Sequence, residues 1–134
     1  MTEPKIFTEG NKSMNPKISM IGTGNWGKIL IQKFHQLGGL HLVYGHQNRA
    51  LLEPLNLRFT EDIEALIEES DAVIIATPSE THAEWGHRAL SAKKDVFVEK
   101  PIALSSSEAK SLAQLADDSN LILMVGHTLC YSTG

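Results

Sequence analysis

The sequence predicts an α/β fold: a doubly wound parallel sheet of about six strands with helices on both faces. Short apolar runs alternate with amphipathic stretches from residue 17 onward, a pattern typical of parallel sheets. The chain has 134 residues, of which 42% are hydrophobic and 21% charged, and this suits one globular domain with a sizeable core. We therefore expect one domain at residues 17–134, preceded by a flexible lead-in at residues 1–16, where polar residues, glycine and proline show no periodicity.

Six short apolar segments are the predicted strands. They lie at residues 17–21, 40–44, 57–59, 71–76, 95–99 and 121–125. The fourth is the most distinct, because residues 72–76 are continuously apolar, as expected of a strand buried on both faces. Residues 46–54 are polar and irregular, with room for one short helical turn.

Four helices are predicted between these strands. The first covers residues 25–37, and Gly38-Gly39 ends it. Its residues at helical spacing are Trp26, Ile29, Leu30, Lys33, Phe34 and Leu37. Thr60 is the predicted N-cap of the second helix and Ser79 that of the third. Ser105 and the glutamate three residues later predict a capping box at the start of the fourth.

Composition and charge exclude several classes of function. A net charge of −4 without a basic run gives no case for nucleic-acid binding. The single cysteine, Cys130, allows no disulfide within the chain, and this fits a cytoplasmic location. No apolar stretch reaches membrane-spanning length, and the N-terminus lacks a signal-peptide pattern. The six histidines and one cysteine show no metal-ligand spacing, so we expect no metal site.

Residues 22–27 carry the main functional motif, a G-x-G-x-x-G turn. It directly follows the first strand and opens the first helix, the context in which this spacing indicates a dinucleotide site and a Rossmann-like fold. Gly22 permits a tight turn, Gly24 lets a diphosphate approach the backbone, and Gly27 lets the helix pack close to the strand. The amides of this turn, which also contains Thr23, Asn25 and Trp26, are expected to face the anion.

The turn also fits two other interpretations. Residues 22–28 also fit G-x-x-x-x-G-K, the start of an NTPase phosphate loop, but the next residue is Ile29 where magnesium binding needs serine or threonine. A turn that needs glycine only for its backbone angles is the second alternative. The position between strand and helix favours the dinucleotide interpretation over both.

The end of the second predicted strand bears on the choice between NAD and NADP. NAD-binding folds carry an acidic residue there, about 20 residues past the glycines, to bond the ribose 2′-hydroxyl. Residues 44–49 read YGHQNR and contain no carboxylate. His46 or Arg49 would instead pair with a 2′-phosphate, so the sequence favours NADP over NAD. The alternative is that Arg49 is an exposed loop residue and the preference is weak.

Three further segments follow predicted strands: ATPSETH at residues 76–82, DVFVEKP at residues 95–101 and MVGH at residues 124–127. With the glycine turn, and over roughly residues 17–131, they resemble the glucose–fructose oxidoreductase, inositol dehydrogenase and rhizopine-catabolism family (Gfo/Idh/MocA). The resemblance implies the NAD(P)-binding domain of a dehydrogenase or reductase that acts on CH–OH groups of sugars or polyols.

The resemblance also implies roles for matching residues. Thr77 and Pro78 are expected to line the cofactor near its ribose and nicotinamide, and His82 to help hold it. Glu99 and Lys100 are expected beside the nicotinamide ribose, with Lys100 reaching the substrate hydroxyl. An ammonium group there favours the alkoxide that forms as hydride leaves.

Alternatives stay open for several of these residues. Lys100, which precedes Pro101, is otherwise an exposed turn lysine, and the sequence does not show whether the bond between them is cis. His127 is a candidate catalytic residue or, equally, a satisfied strand-end histidine. The family often has asparagine where this chain has Ser79, so that contact is less certain.

Members of the family carry a second α/β domain that forms most of the substrate pocket. This sequence stops shortly after the sixth strand, so we expect it to bind NAD(P) and to be inactive alone, with a sugar or polyol substrate only if a second domain is supplied. A stand-alone dinucleotide-binding or sensing module is the alternative, and an S-adenosylmethionine-dependent methyltransferase a minor one. An exposed apolar patch would also allow association into a homo-oligomer.

Overall fold

A computed structural model describes residues 15–127 and shows a five-stranded, fully parallel sheet. The strands are β1 (Ile18–Ile21), β2 (Val43–Tyr44), β3 (Ala72–Ile75), β4 (Asp95–Glu99) and β5 (Leu123–Gly126). Their order is β2-β1-β3-β4-β5, with Met20 opposite Val43 and Ile18 opposite Ala72 in the central pairings. The order reverses direction next to β1, and ligands of such sheets bind at this switch point, beyond the carboxyl ends of the strands.

The helices divide between the two faces of the sheet. They are α1 (Asn25–Leu37), α2 (Arg49–Leu52), α3 (Ile63–Glu69), α4 (His82–Ser91) and α5 (Ser106–Asp118), with 3-10 turns at Glu53–Leu55 and Ser79–Thr81. One buried cluster joins Ile75 of β3 to α3, α4 and α5, and the other joins Ile74 to α1 and α2. Because neighbouring strand residues point to opposite faces, the continuously apolar β3 supplies both cores.

The predicted third strand is the only one without a place in this sheet. Residues 57–59 contribute a single isolated parallel bridge, between Val43 and Phe59, at the outer edge of β2. Val43 donates to Arg58 O and accepts from the amide of Thr60. The apolar run is therefore an edge contact of β2, and the predicted doubly wound architecture is otherwise confirmed.

Helix α1 has the predicted limits, and only part of the set at helical spacing packs against the sheet. Gly27 and Ile31 are buried, whereas Trp26, Ile29 and Leu37 are 45%, 39% and 81% exposed. Leu30 and Phe34 of the same set are partly buried against the core. Close approach of the helix at Gly27 rotates the face that contains Gly27 and Ile31 towards the sheet.

Two predicted N-caps were also wrong. Helix α3 begins at Ile63, and its cap is Asp62, whose Oδ1 accepts from the amide of Ala65 at 3.1 Å. Thr60 Oγ1 instead accepts from the amide of Asp62, one step before the helix. Ser79 opens a 3-10 turn ahead of α4 and makes no side-chain cap.

The cap of α5 is as predicted: Ser105 Oγ accepts from the amide of Glu108 at 3.2 Å. The Lys100–Pro101 peptide bond is cis. Among residues 15–127, no helix has the length and apolar character needed to cross a membrane, and no group of three or more His, Cys, Asp or Glu side chains is placed to hold a metal ion. Cys130 and most of the predicted lead-in lie outside the described residues.

Candidate functional site

The glycine turn lies between β1 and α1, at the switch point of the sheet. Gly22 has φ +113°, and a Cβ at this position would lie 2.3 Å from the carbonyl oxygen of Ala76, at the end of β3. A Cβ at Gly27 would lie 2.3 Å from the carbonyl oxygen of Gly22. Both residues are therefore glycine because backbone from elsewhere occupies the space that a side chain needs.

Gly24 is different, because it borders open space. A Cβ at this position would meet only Gln47 Oε1, at 3.4 Å. Gly24 is the N-cap residue of α1, and the first intrahelical bond runs from the amide of Lys28 to Gly24 O. The amides before Lys28 have no helical acceptor, and the first turn holds no acidic residue that would compensate the positive end of the helix dipole. This arrangement leaves a cradle of free amides above Gly24 that is suited to an anion.

Thr23, within the glycine turn, is buried against the residue that follows β2. Its side chain is buried and packs under Gly45, where a Cβ would lie 2.3 Å from Thr23 Oγ1. Asn48 Nδ2 donates to Thr23 O at 2.8 Å, and Thr23 Oγ1 has no hydrogen-bond partner within residues 15–127. The threonine side chain thus fills the space at the end of β2 where NAD-binding folds carry an acidic residue.

His46 follows β2 closely and Arg49 is the first residue of α2, and neither side chain is free. Arg49 Nε donates to Gly45 O at 2.8 Å, its guanidinium lies 4.5 Å from the centre of the Phe59 ring, and Arg49 Nη2 lies 2.6 Å from Glu61 Oε1. His46 Nε2 lies 3.6 Å from the other oxygen of Glu61. Glu61 thus places a carboxylate beside both cationic candidates.

A cavity of about 320 Å³ lies on the other side of the glycine turn, between the ends of β3 and β4. Five of the predicted site residues line it: Trp26, Thr77, His82, Glu99 and Lys100. Pro78 lies between two of its lining residues along the chain. His127 is exposed just beyond β5, one residue past the pairing of Gly126 with Glu99, and is not part of the cavity lining.

The Thr77 hydroxyl is oriented by a short chain of hydrogen bonds. Thr81 Oγ1 donates to Pro78 O at 2.7 Å and lies 2.6 Å from Thr77 Oγ1. Because the Thr81 proton is directed to Pro78 O, Thr77 donates its own proton to Thr81. The lone pairs of Thr77 Oγ1 remain available to accept from a ligand donor such as a ribose hydroxyl or a carboxamide.

Glu99, which lines the same cavity, has one carboxylate oxygen without a hydrogen-bond donor among the described residues. The residue is 8% exposed, and its Oε1 has no hydrogen-bond partner among the described residues. A Cβ at Gly126 would lie 2.6 Å from this oxygen, so the glycine of β5 provides the room that the carboxyl group occupies. A buried acceptor without a donor is costly, and a donor from a bound molecule would remove that cost.

His82 is the most buried polar residue of the cavity wall, at 1% exposure. Its Nδ1 lies 2.7 Å from Pro101 O, and its Nε2 lies 2.8 Å from Thr77 O. Both ring nitrogens are therefore engaged with backbone carbonyls, one from the loop after β4 and the other from the loop after β3. The ring has no nitrogen left to contact a cofactor directly.

Sequence reasoning missed four residues of this region: Gln47 beside Gly24, Glu61 beside Arg49, Thr81 beside Thr77, and Gly126 beside Glu99. Gln47 and Thr81 stand next to predicted site residues and a polar-loop search would have found them. Glu61 and Gly126 meet their partners only through the fold, so no local signal indicates them.

Comparison with known proteins places the chain among oxidoreductases. The family described as "Oxidoreductase family, NAD-binding Rossmann fold" matches residues 17–127. UDP-N-acetylglucosamine 3-dehydrogenase from Acidithiobacillus ferrooxidans is 32% identical over 114 residues, which cover 83% of this chain and 36% of the relative. scyllo-Inositol 2-dehydrogenase (NAD(+)) from Bacillus subtilis is 37% identical over 71 residues, covering 52% of this chain and 21% of the relative.

Solved structures agree. A structure of the Acidithiobacillus ferrooxidans enzyme superposes with a TM-score of 0.77 at 30% identity, covering 84% of this chain and 38% of that one. Biliverdin reductase from Synechocystis sp. PCC 6803, in complex with biliverdin and NADP+, gives a TM-score of 0.78 at 28% identity, covering 86% of this chain and 39% of that one. The chain spans about a third of the length of the first curated relatives that it matches.

Proposed function

The chain belongs to the Gfo/Idh/MocA oxidoreductase family as its NAD-binding Rossmann domain, and on this premise we propose that it holds the nicotinamide dinucleotide of a dehydrogenase or reductase that acts on CH–OH groups of sugars or polyols. The open cradle above Gly24 carries this proposal. There the uncapped amides of α1 lie beside a glycine whose lack of a side chain leaves room for a diphosphate.

The residues present fit such a cofactor along its whole length. The diphosphate would lie above Gly24, and the adenosine ribose would lie at the end of β2, near His46 and Arg49. The nicotinamide end would then extend to the cavity between β3 and β4. There Thr77 Oγ1 and Glu99 Oε1 offer acceptors for which the described chain supplies no donor.

The cofactor, when bound, supplies the hydride chemistry, and the chain's residues bind and orient. Lys100 is exposed at the rim of the cavity, where its ammonium group would hold a substrate hydroxyl and favour the alkoxide as hydride leaves. His127 lies at the same end of the sheet and is the second candidate for contact with that hydroxyl. Trp26, which is also exposed, would cover the opposite side of the cavity.

We expect binding without appreciable turnover from this chain alone. Lys100 and Trp26 face solvent, so the described residues supply one wall for a substrate and leave its other side unrestrained. Without a fixed substrate carbon, the geometry needed for hydride transfer is lost. Calorimetric titration with NAD and NADP should give saturable binding, and assays with sugars and polyols should give no significant rate. No binding of either dinucleotide would refute the proposal, and robust turnover would refute its second part.

We propose that the chain prefers NADP to NAD and that Glu61 reduces this preference. Arg49 supplies positive charge and His46 a ring nitrogen for a 2′-phosphate, but Glu61 already pairs with Arg49 at 2.6 Å. A phosphate would have to compete with that carboxylate for Arg49, and the two negative charges would repel each other. We therefore expect only a small preference in the unmodified chain.

Glu61→Gln separates these effects. The variant should bind NADP about tenfold more tightly, because a hydrogen bond between Arg49 and phosphate is charge-assisted, and should leave NAD binding unchanged. Glu64→Gln is the matched control. It removes the same charge from α3, where the exposed Glu64 pairs with Arg88 and not with Arg49. Tighter binding of NAD than NADP by both the unmodified chain and Glu61→Gln would contradict the lean towards NADP.

A further inference from the structure

We propose that His82 is a positioning residue that, with a proton on both ring nitrogens, fixes the two loops facing the nicotinamide end of the cofactor. The proposal rests on the proposed function for the identity of the ligand. It goes beyond that function because it assigns the histidine a protonation state and a role in holding two loops in position. It also gives His82 no direct contact with the cofactor.

The donor and acceptor count supports the doubly protonated ring. Both partners of His82, Thr77 O and Pro101 O, are carbonyl oxygens, which only accept hydrogen bonds. A neutral imidazole has one N–H, so one of its nitrogens would direct a lone pair at a carbonyl oxygen less than 3 Å away. Only the imidazolium form donates at both contacts, and both of its donors are then satisfied.

A buried positive charge needs compensation, and the cavity lining holds one carboxylate. The ring is 1% exposed, so little solvent reaches it. Glu99, at the end of β4, lines the same cavity and is itself 8% exposed, with one oxygen unpartnered among the described residues. Lys100, the other charged group of the lining, is exposed and therefore screened. The carboxylate and the imidazolium would then lower each other's cost of burial.

The two contacts connect the loops that follow the paired strands β3 and β4. Thr77 follows β3 and Pro101 follows β4, so the ring bridges two adjacent strand ends. One loop carries the Thr77 hydroxyl, and the other carries Lys100. Ligand-binding groups must be held to within about 0.5 Å to act together. His82 would set the distance between them.

The position of His82 predicts which half of the cofactor depends on it. The adenosine half would contact the segment from Gly45 to Arg49, on the far side of the glycine turn, whereas the hydrogen bonds of His82 go to Thr77 and Pro101. Loss of the bridge should therefore weaken binding of the nicotinamide half and spare the adenosine and diphosphate half.

His82→Gln tests this, because glutamine reaches one carbonyl as a donor but cannot serve two. The probes are NAD and ADP, measured by calorimetric titration of the 134-residue chain. We expect the Kd for NAD to rise about tenfold or more, as the loss of an ordered hydrogen-bonded contact implies, and the Kd for ADP to stay constant. His87→Gln, on the exposed side of the same helix, is the matched control and should change neither value.

A spectroscopic measurement on the unmodified chain tests the protonation state independently. In ¹⁵N NMR spectra, the ring of His82, assigned by its loss in His82→Gln or by specific labelling, should show a proton bound to each nitrogen. A single N–H would overturn the proposed imidazolium. Equal weakening of NAD and ADP would show a merely structural role. Failure of the unmodified chain to bind either probe would refute the proposed function, while the NMR result would still decide the state of the ring.

Discussion

Replacing Gly27 with alanine should destabilise the domain far more than replacing Gly24 with alanine, although both glycines belong to the same turn. At Gly27 the new Cβ would lie 2.3 Å from Gly22 O and 2.9 Å from Gly22 C. Both atoms are backbone, so neither can rotate away. At Gly24 the nearest atom is Gln47 Oε1, at 3.4 Å, the end of a flexible side chain.

The magnitudes follow from these distances. Overpacking typically costs about 1–3 kcal/mol, and a clash with backbone below 3.0 Å belongs at the upper end, so Gly27→Ala should lose about 3 kcal/mol of unfolding free energy. Gly24 has φ −65° and ψ −169°, which any residue adopts, and it is an N-cap. Alanine is a poorer cap than glycine, so Gly24→Ala should lose under about 1 kcal/mol.

Cofactor binding should show the reverse order, with substitution of Gly24 having the larger effect. The diagnostic variant is the larger substitution Gly24→Val. A valine side chain would project into the cradle and displace a diphosphate from the helix amides, each contact to which contributes about 1.5–3 kcal/mol. We expect a loss of affinity of at least about a hundredfold for NAD and NADP, with folding retained. Urea denaturation would measure stability and calorimetry would measure binding. Unchanged affinity in Gly24→Val would refute the assignment of the cradle, and equal stability of the two alanine variants would refute the steric argument.

Three further outcomes are expected. Gly45→Asp should lose about 3 kcal/mol of unfolding free energy in urea titrations, because its side chain would collide with the buried Thr23. Asp62→Ala should cost about 1 kcal/mol in the same assay through loss of the α3 cap, whereas Thr60→Ala should cost less. Gly126→Ala should weaken NAD but not ADP in calorimetric titrations, because its methyl group would displace the buried carboxyl group at the end of β4.

Local signals predicted the parts of the fold that depend on neighbouring residues. The limits of α1 follow from a helical period between two glycine segments, and the cap at Ser105 from its spacing to Glu108. The choice between Thr60 and Asp62 as a cap was beyond such signals, since both side chains accept hydrogen bonds two or three residues ahead. Competition between equivalent local partners is resolved by packing of the helix.

For the parts of the site that depend on distant residues, the sequence predicted which residues take part but not which residues they contact. The glycines and Thr77 could be placed at strand ends, because parallel strands bring those ends to one edge. That Arg49 would meet Glu61, twelve residues later, or that His82 would meet Pro101, nineteen residues later, depends on how loops close. His82 was expected to hold the cofactor, and its carbonyl contacts instead favour an indirect role.

Thr23 packs against Gly45, and this contact affects how descendants of this chain could change their cofactor preference. The mutations would have to occur in a particular order. An acidic side chain at the end of β2 is disadvantageous while the threonine is present, because both would occupy one volume. A smaller residue 23 would remove this collision, although a side chain at residue 45 would still be strained by its φ of +158°. The two positions are therefore epistatic, and a lineage that keeps Thr23 would adjust its preference at Glu61, where substitutions act singly.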